Sequence, residues 1–152
     1  MSEQMTLVLV KPDGLQRGLA GEIVRRLEAT GLRIAGMKLM QMDRALAERH
    51  YAEHTGKPFY DGLVEFITSA PVLAMALAGP DAVALVRKIM GATSPLDAAP
   101  GTIRGDLAIH IGRNLVHGSA TLEDAKRERA LFFDDSELLE YGRANGPWIV
   151  EG

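Results

Sequence analysis

The chain has 152 residues, no cysteine and a formal net charge of −3, a length that suits one domain with a full hydrophobic core, so we expect residues 1–152 to form a single domain. The lack of cysteine excludes disulfides and thiolate metal sites, and the slight negative charge argues against nucleic acid as the main partner. Without an apolar run of about 18 residues or a signal-peptide pattern at Met1-Ser2-Glu3-Gln4, we expect no membrane span and a cytoplasmic location.

The first half of the chain alternates strand and helix patterns. The apolar run at 6–10 predicts a buried strand, which ends in a tight turn at Pro12-Asp13-Gly14. Residues 19–30 carry apolar side chains at helical spacing and predict a helix that stops at Gly31. Partial alternation over 33–42 predicts a long strand, and two short helices are predicted over 46–54 and 63–67.

The second half continues this alternation, with one long interruption. Residues 72–78 predict a strand, and Asp81 is the expected cap of a helix that runs to residue 90. Residues 91–106 predict a long irregular loop, a feature that is often functional in a compact domain. Residues 109–114 are ambiguous, 115–117 predict a last short strand, and 121–124 resemble a capping box that opens a helix to residue 133.

This order of elements predicts the fold class. It matches an α/β (α+β) fold of the ferredoxin-like βαββαβ type, in which helices cover an antiparallel sheet. The long loop is then an insertion, and the residues after 133 are a C-terminal extension. Because this plan hosts many unrelated activities, function has to be argued from individual residues.

His117 is the first candidate for chemistry. It lies at the end of a predicted strand, in Asn114-Leu115-Val116-His117-Gly118-Ser119. A neutral imidazole with a pKa of about 6.5 is a competent nucleophile near pH 7 when a partner holds its second ring nitrogen. Gly118 removes the neighbouring side chain and would let a substrate approach closely. A single histidine at a strand end is nevertheless more often structural than catalytic.

Glu128 falls on the inward face of the last predicted helix, in step with Ala125 and Phe132. A carboxylate that faces the core needs a partner. His117 could be that partner, with Ser119 bonding the same carboxylate, but a neighbouring arginine at 127 or 129 fits the spacing equally well.

Three cations could form a phosphate pocket. Lys11 follows the first strand, Arg87 lies in a predicted helix and Arg104 in the long loop. Each alone is typical of a solvated surface charge, but phosphoryl transfer is catalysed mainly by positioning and by charge stabilisation, which such residues provide together. The Gly-rich loop of the P-loop enzymes is absent from the sequence.

Two further patterns carry less information. His50 and His54 are four residues apart and could share a helix face like metal ligands, but no third ligand is evident and a surface pair is favoured. Four methionines are interpreted as core residues: Met37, Met40, Met42 and Met75.

The segment 114–119 resembles the active-site signature of the nucleoside diphosphate kinases, Asn-x-x-His-Gly-Ser. The resemblance spans nearly the whole chain, because further segments match the family in order: Val10-Lys11-Pro12-Asp13-Gly14, Arg17-Gly18, Gly21-Glu22-Ile23, Lys57-Pro58-Phe59-Tyr60, Gly91-Ala92-Thr93 and 99–106. One departure is Ala120, where the family usually has an acidic residue; it is not a predicted site position, and we expect it to alter local capping or interface contacts.

The resemblance implies a ping-pong transfer of the γ-phosphate from a nucleoside triphosphate to a nucleoside diphosphate through a phosphohistidine. It makes His117 the nucleophile, with Glu128 and Ser119 orienting its ring and Tyr51 near the reacting phosphate. The implied nucleotide-binding residues hold the phosphates, the sugar 3′-hydroxyl or the base by stacking: Lys11, Arg87, Thr93, Arg104, Asn114, Phe59 and Ile111.

The resemblance also implies partners. These are ATP and other nucleoside di- and triphosphates, with Mg²⁺ held mainly by the nucleotide phosphates rather than by a protein cage. It further implies a homo-oligomer, a hexamer in preference to a tetramer, because the tail 145–152 with Trp148 resembles the longer tails of hexameric members. That tail could instead fold back on its own subunit. Two rival functions are a catalytically silent binding module and a nucleic-acid-binding regulator.

Overall fold

The computed structural model describes residues 3–151, which form a four-stranded antiparallel sheet covered by helices. The strands lie in the order β2-β3-β1-β4. In chain order, the elements are β1 (Glu3–Val10), α1 (Pro12–Gln16), α2 (Ala20–Glu28), β2 (Arg33–Met40), α3 (Arg44–His50), α4 (Tyr60–Ile67), β3 (Val72–Pro80), α5 (Ala82–Met90), α6 (Ile103–Leu107), β4 (Val116–Gly118) and α7 (Leu122–Phe132). The predicted ferredoxin-like fold is confirmed.

The central strands β1 and β3 are apolar on both faces because helices cover both sides of the sheet. Successive side chains of β1 point to opposite faces. Val8 and Val10 join the cluster formed with α2 and α5, whereas Leu7 and Leu9 join the cluster formed with α4 and the end of α7. This double burial explains why β1 has an uninterrupted apolar run rather than an alternating pattern.

Several predicted element boundaries are wrong, each for a local reason. Pro12 begins helix α1, where its fixed φ suits the first helical position, instead of forming an isolated turn. The predicted helix 46–54 ends at His50 and continues as a separate 3₁₀ turn at Ala52–His54. Inside the predicted loop 91–106, the Thr102 hydroxyl accepts from the backbone N–H of Gly105 at 3.0 Å and starts α6.

Asp81 is not the side-chain cap that we expected. Its backbone is left-handed, with φ of 51°, and its side chain makes no cap hydrogen bond. The Gln4 side chain performs that role instead, because its Oε1 accepts from the backbone N–H of Val83 at 3.3 Å. This contact cannot be predicted from the helix itself, since it comes from β1.

The predicted core methionines divide between two environments. Met42 and Met75 are buried, and Met40 packs partly against the core. Met37 was wrongly assigned, because 42% of it is exposed on β2, which is an edge strand of the sheet. An edge strand is buried only where other elements pack against it. The partial alternation of apolar residues in β2 therefore does not tell which of its methionines are buried.

The C-terminal extension folds back along its own chain. The backbone N–H of Leu139 donates to the carbonyl of Ala35 at 2.9 Å, and the Arg143 guanidinium donates to the carbonyl of Gly31 at 2.7 Å. Trp148 remains 90% exposed at the end of this path. None of the helices between residues 3 and 151 has the length and apolarity that a membrane crossing requires.

Candidate active site

A cavity of about 550 Å³ opens beside β4, and it gathers side chains from distant parts of the chain. Ten of the residues predicted from the sequence line it: Lys11, Tyr51, Phe59, Arg87, Thr93, Arg104, Ile111, Asn114, His117 and Glu128. Ser119 lies behind the wall of the cavity, with 1% of its surface exposed. The fold therefore brings the predicted residues together at one place.

His117 is held by the carboxylate of Glu128. The imidazole Nε2 lies 2.6 Å from Glu128 Oε1, and Glu128 is 4% exposed on the inner face of α7. The Ser119 hydroxyl donates to the same oxygen at 3.3 Å, while an Arg127 nitrogen lies 3.7 Å from the other oxygen. Both predicted kinds of partner are present, and the histidine is the closer one. Because a carboxylate accepts, Nε2 carries the proton and Nδ1 keeps its lone pair.

The backbone just before His117 is strained. Leu115 has φ of 74°, a left-handed conformation that costs a non-glycine residue of order 1–3 kcal/mol. Two contacts hold it there: the Leu115 N–H donates to Asp13 Oδ2 at 3.0 Å, and its carbonyl accepts from the Lys11 N–H at 2.8 Å. Asp13 is a supporting residue that sequence reasoning missed, because the motif around it predicts only a turn.

Gly118 has a packing role that the sequence did not predict, whereas its expected role in substrate approach stays a prediction. A Cβ at this position would lie 2.8 Å from Met90 Sδ and 3.1 Å from a methyl of Val86. The missing side chain therefore lets α5 pack closely on β4. Since α5 carries Arg87, this close approach also brings the Arg87 guanidinium to the cavity wall.

A hydrogen-bonded chain links Lys11 to the loop that follows α5. The Lys11 Nζ donates to Asn114 Oδ1 at 2.6 Å, and Asn114 Nδ2 donates to the carbonyl of Thr93 at 3.0 Å. Burial lowers the pKa of Lys11 to about 8, an effect that the nearby Asp13 carboxylate partly offsets. Lys11 therefore remains mostly charged at pH 7.

Arg104 is buried rather than solvated. Its Nε, Nη1 and Nη2 donate to the carbonyls of Asn114, Gly91 and Val116 at 3.1, 3.1 and 2.7 Å. Burial, with a smaller contribution from the charge of Arg87, lowers its pKa to about 10, so the guanidinium is still charged at neutral pH. These three bonds use three of the five N–H groups of the guanidinium.

The mouth of the cavity carries two exposed apolar side chains. Phe59 is 51% exposed and Ile111 is 57% exposed, and both lie in turns that line the cavity. Tyr51 lies deeper, and burial together with the charge of Glu128 raises its pKa to about 12, so its phenol stays protonated. The site thus combines an apolar entrance with a cationic interior.

The predicted surface pair of His50 and His54 is wrong for His50. Only 3% of His50 is exposed, and its ring packs edge-on against the His117 ring with a centroid distance of 4.6 Å. His54 lies on the 3₁₀ turn after α3 and contacts the Phe59 ring instead. The helix ends between the two histidines, so their side chains do not share one face.

Comparisons with known proteins agree on one family. A family model described as nucleoside diphosphate kinase matches residues 4–138. A Thermus thermophilus protein named nucleoside diphosphate kinase is 65% identical over 136 residues, which cover 90% of this chain and 99% of the relative. A namesake from Listeria monocytogenes serotype 4a is 59% identical over 146 residues, 96% of this chain and 99% of that one.

Solved structures give the same result. A halophilic nucleoside diphosphate kinase from Halobacterium salinarum in complex with CDP superposes with a TM-score of 0.95 at 56% identity, covering 99% of this chain and 100% of that one. A nucleoside diphosphate kinase family protein from Babesia bovis superposes with a TM-score of 0.94 at 43% identity, covering 97% and 99% of the two chains.

Proposed function

Because this chain belongs to the nucleoside diphosphate kinase family, we propose that it transfers phosphate through a covalent intermediate on His117. The overall reaction moves the γ-phosphate of a nucleoside triphosphate to a nucleoside diphosphate, so the chain is a phosphotransferase. The observation that carries the His117 proposal is its 2.6 Å contact with Glu128. It fixes one ring nitrogen and leaves Nδ1 free for attack in a cationic cavity.

The reaction has two matched halves. In the first, the Nδ1 lone pair forms a bond to the γ-phosphorus while the bond from that phosphorus to the β–γ bridging oxygen breaks, and a nucleoside diphosphate leaves. In the second, a terminal oxygen of another diphosphate attacks the phosphorus and the N–P bond breaks. Donor and acceptor are chemically alike, which is why a single cavity serves both. The imidazole gains positive charge as the N–P bond forms and loses it as that bond breaks, so it is partly positive in both transition states, and the Glu128 carboxylate at Nε2 stabilises that charge.

The cations of the cavity are proposed to hold the phosphates. Lys11, Arg87 and Arg104 line one cavity with His117, and Thr93 belongs to the same wall. Their charges match the triphosphate, and fixed donors cost little reorganisation when charge shifts during transfer. Tyr51, protonated at neutral pH, is proposed to donate a hydrogen bond near the reacting phosphate.

The rest of the nucleotide extends toward the cavity mouth. We assign the sugar 3′-hydroxyl to Lys11 and Asn114, whose side chains already bond each other at 2.6 Å. The base would lie between Phe59 and Ile111, whose exposed apolar surfaces leave room for a flat ring. Stacking accepts any base, whereas hydrogen bonds to base edges discriminate, so this entrance suits an enzyme of broad nucleotide range.

Mg²⁺ is proposed to enter with the nucleotide. The carboxylates of the cavity wall are Glu53, Asp124 and Glu128, and Glu128 is already bonded to His117. This donor set fits an ion that keeps most of its ligands from phosphates and water. Glu53 and Asp124 are the residues that could add an outer contact, and the ion would neutralise phosphate charge.

The proposal also includes the domain organisation, the subunit number and the cellular location. We propose that residues 1–152 form one domain, supported by two core clusters that share the strands β1 and β3. We propose a homohexamer in preference to a tetramer, because the tail 145–152 resembles the tails of hexameric members. Apolar side chains at Leu96, Ile109 and Trp148 are at least 90% exposed, which supports an interface between subunits. Light scattering on the eluted peak measures the subunit number. The cytoplasmic location remains a prediction that cell fractionation tests.

The decisive experiment is brief exposure to γ-labelled ATP and magnesium, followed by intact-mass measurement and addition of GDP. Wild type should gain one acid-sensitive phosphate and pass it on as GTP, whereas His117→Ala should gain none. His110→Ala is the matched control, because His110 is exposed and lies outside the cavity lining. If wild type binds nucleotide without labelling or forming GTP, a silent binding module becomes the better account. Salt-dependent binding of single strands would instead favour the nucleic-acid regulator.

A further inference from the structure

Three potential metal ligands meet beside the cavity, two of them in its wall and the third, His50, outside its lining. His50, His117 and Glu128 each present one ligand atom, and these three atoms lie within 4.8 Å of one another. Among residues 3–151 this is the only group of three or more histidine, aspartate or glutamate side chains with such geometry. The phosphotransfer proposal uses His117 and Glu128 but leaves His50 without a role.

His50 is costly where it lies. It is 3% exposed, and neither of its ring nitrogens has a hydrogen-bond partner within the described part of the chain. A buried donor or acceptor without a partner costs about 1–3 kcal/mol. Its ring contacts are aromatic: Tyr51 at 4.7 Å, His117 at 4.6 Å and Phe132 at 5.4 Å between centroids. A phenylalanine would fill the same space without that cost, so the unpartnered nitrogens require an explanation.

We propose that His50, His117 and Glu128 form a binding site for a divalent transition-metal ion, of the Zn²⁺ class, that inhibits phosphate transfer. Two imidazoles and one carboxylate are a ligand set found in zinc enzymes with one open position. The open position here faces the cavity, since His117 is partly exposed there whereas His50 and Glu128 are buried. Water or a phosphate oxygen would fill it.

The ligand chemistry selects this class of ion over Mg²⁺. Imidazole nitrogen suits zinc, copper, nickel and iron, whereas Mg²⁺ requires oxygen ligands in octahedral geometry. A tetrahedral zinc ion with bonds of roughly 2.1 Å separates its ligand atoms by roughly 3.4 Å. The observed upper limit of 4.8 Å and the 2.6 Å pair lie on either side of that spacing, so an ion would draw some of these atoms together and move His117 and Glu128 apart by roughly 0.8 Å.

Bound metal would stop the first half-reaction, because His117 would donate a lone pair to the ion or lose its hydrogen bond to Glu128. This inhibitory consequence rests on the proposed role of His117, but metal binding itself does not. The site would therefore make the enzyme sensitive to free zinc.

The test begins with metal-stripped protein in the absence of nucleotide, because nucleotides also bind zinc. Calorimetry with Zn²⁺ and absorption spectra with Co²⁺ report binding and coordination number, for wild type, His50→Phe and His110→Asn. Wild type and His110→Asn should bind one equivalent of metal per chain with a four- or five-coordinate cobalt spectrum. His50→Phe should bind at least about tenfold more weakly, the loss expected when a metal site loses a ligand or its support.

Thermal unfolding confirms that the variants are folded, and His50→Asn is measured beside His50→Phe as a second variant. Equal metal affinity in wild type and both folded His50 variants would overturn the site, as would absence of binding in wild type. Preincubation with one equivalent of Zn²⁺ should then prevent labelling of wild type and be reversed by EDTA. Labelling that persists with metal bound overturns the inhibitory step. If metal-free wild type takes up no phosphate label, the His117 proposal is contradicted instead. The metal-binding measurements would still show whether the metal site exists.

Discussion

Glu128→Gln tests the electrostatic part of the His117 arrangement with the smallest change of shape. The glutamine keeps an oxygen able to accept from Nε2, but it removes the negative charge from a side chain that is 4% exposed and 2.6 Å from the imidazole. A hydrogen bond to a charged group contributes about 1.5–3 kcal/mol, and a neutral one about 0.5–1.5 kcal/mol. The difference of about 1–1.5 kcal/mol applies most strongly in the transition state, where the imidazole becomes positive.

That difference corresponds to a reduction of about five- to thirteenfold in the rate of His117 phosphorylation. Rapid-quench measurement of label incorporation under single-turnover conditions isolates this step from product release. Ser119→Ala is the matched comparison, because its hydroxyl donates to the same carboxylate oxygen at the longer distance of 3.3 Å. Its effect should be smaller than that of Glu128→Gln. A folded Glu128→Gln protein that labels at the wild-type rate would refute the idea that the carboxylate supports the nucleophile.

Three further predictions concern the cavity walls. Burial lowers the pKa of Lys11 to about 8, so nucleotide affinity should fall as the pH rises from 7 to 9 and the ammonium loses its proton. Calorimetry should show no such fall for Lys11→Arg. A wild-type affinity that does not change with pH would contradict the assignment of Lys11 to the nucleotide. Phe59→Ala should weaken the binding of every nucleotide by about 1–3 kcal/mol through lost stacking. It should not weaken the binding of inorganic tripolyphosphate, which has no base. Equal losses of affinity for nucleotides and tripolyphosphate would exclude stacking. Arg104→Met leaves three carbonyls without their donor. It should lower the free energy of unfolding by at least about 2 kcal/mol, which corresponds to roughly 4–8 °C in Tm at fixed protein concentration. Arg17→Met removes one exposed hydrogen bond to the carbonyl of Leu107 and should lower stability much less.

Sequence reasoning located the fold well because its signals were local. The apolar run of β1, the helical spacing of α2 and the Thr121 cap, whose hydroxyl accepts from the Asp124 N–H at 3.0 Å, are each determined by neighbouring residues. The inward position of Glu128 followed from helical spacing for the same reason. The choice between its partners did not, because it depends on how α7 packs against β1 and β4.

The errors share a different origin. His50 is buried against His117 and Phe132, the cap of α5 comes from Gln4 of β1, and the support of Leu115 comes from Asp13 about a hundred residues earlier. Each is a contact between segments far apart in the chain, on which residue spacing within one element carries no information. The resemblance to a family predicted the candidate site residues that line the cavity, but not these supporting contacts.

The arrangement of arginines around β4 has a consequence for self-association. β4 is an edge strand that pairs only with β1, and an open edge of this kind can recruit a strand from another molecule. The carbonyls of Asn114 and Val116 are taken by Arg104, and that of Gly118 accepts from Arg87 at 3.4 Å. The two guanidinium groups thus occupy the acceptors that an incoming strand would need. The cations proposed to hold the substrate would thus also protect the edge beside His117 from β-aggregation.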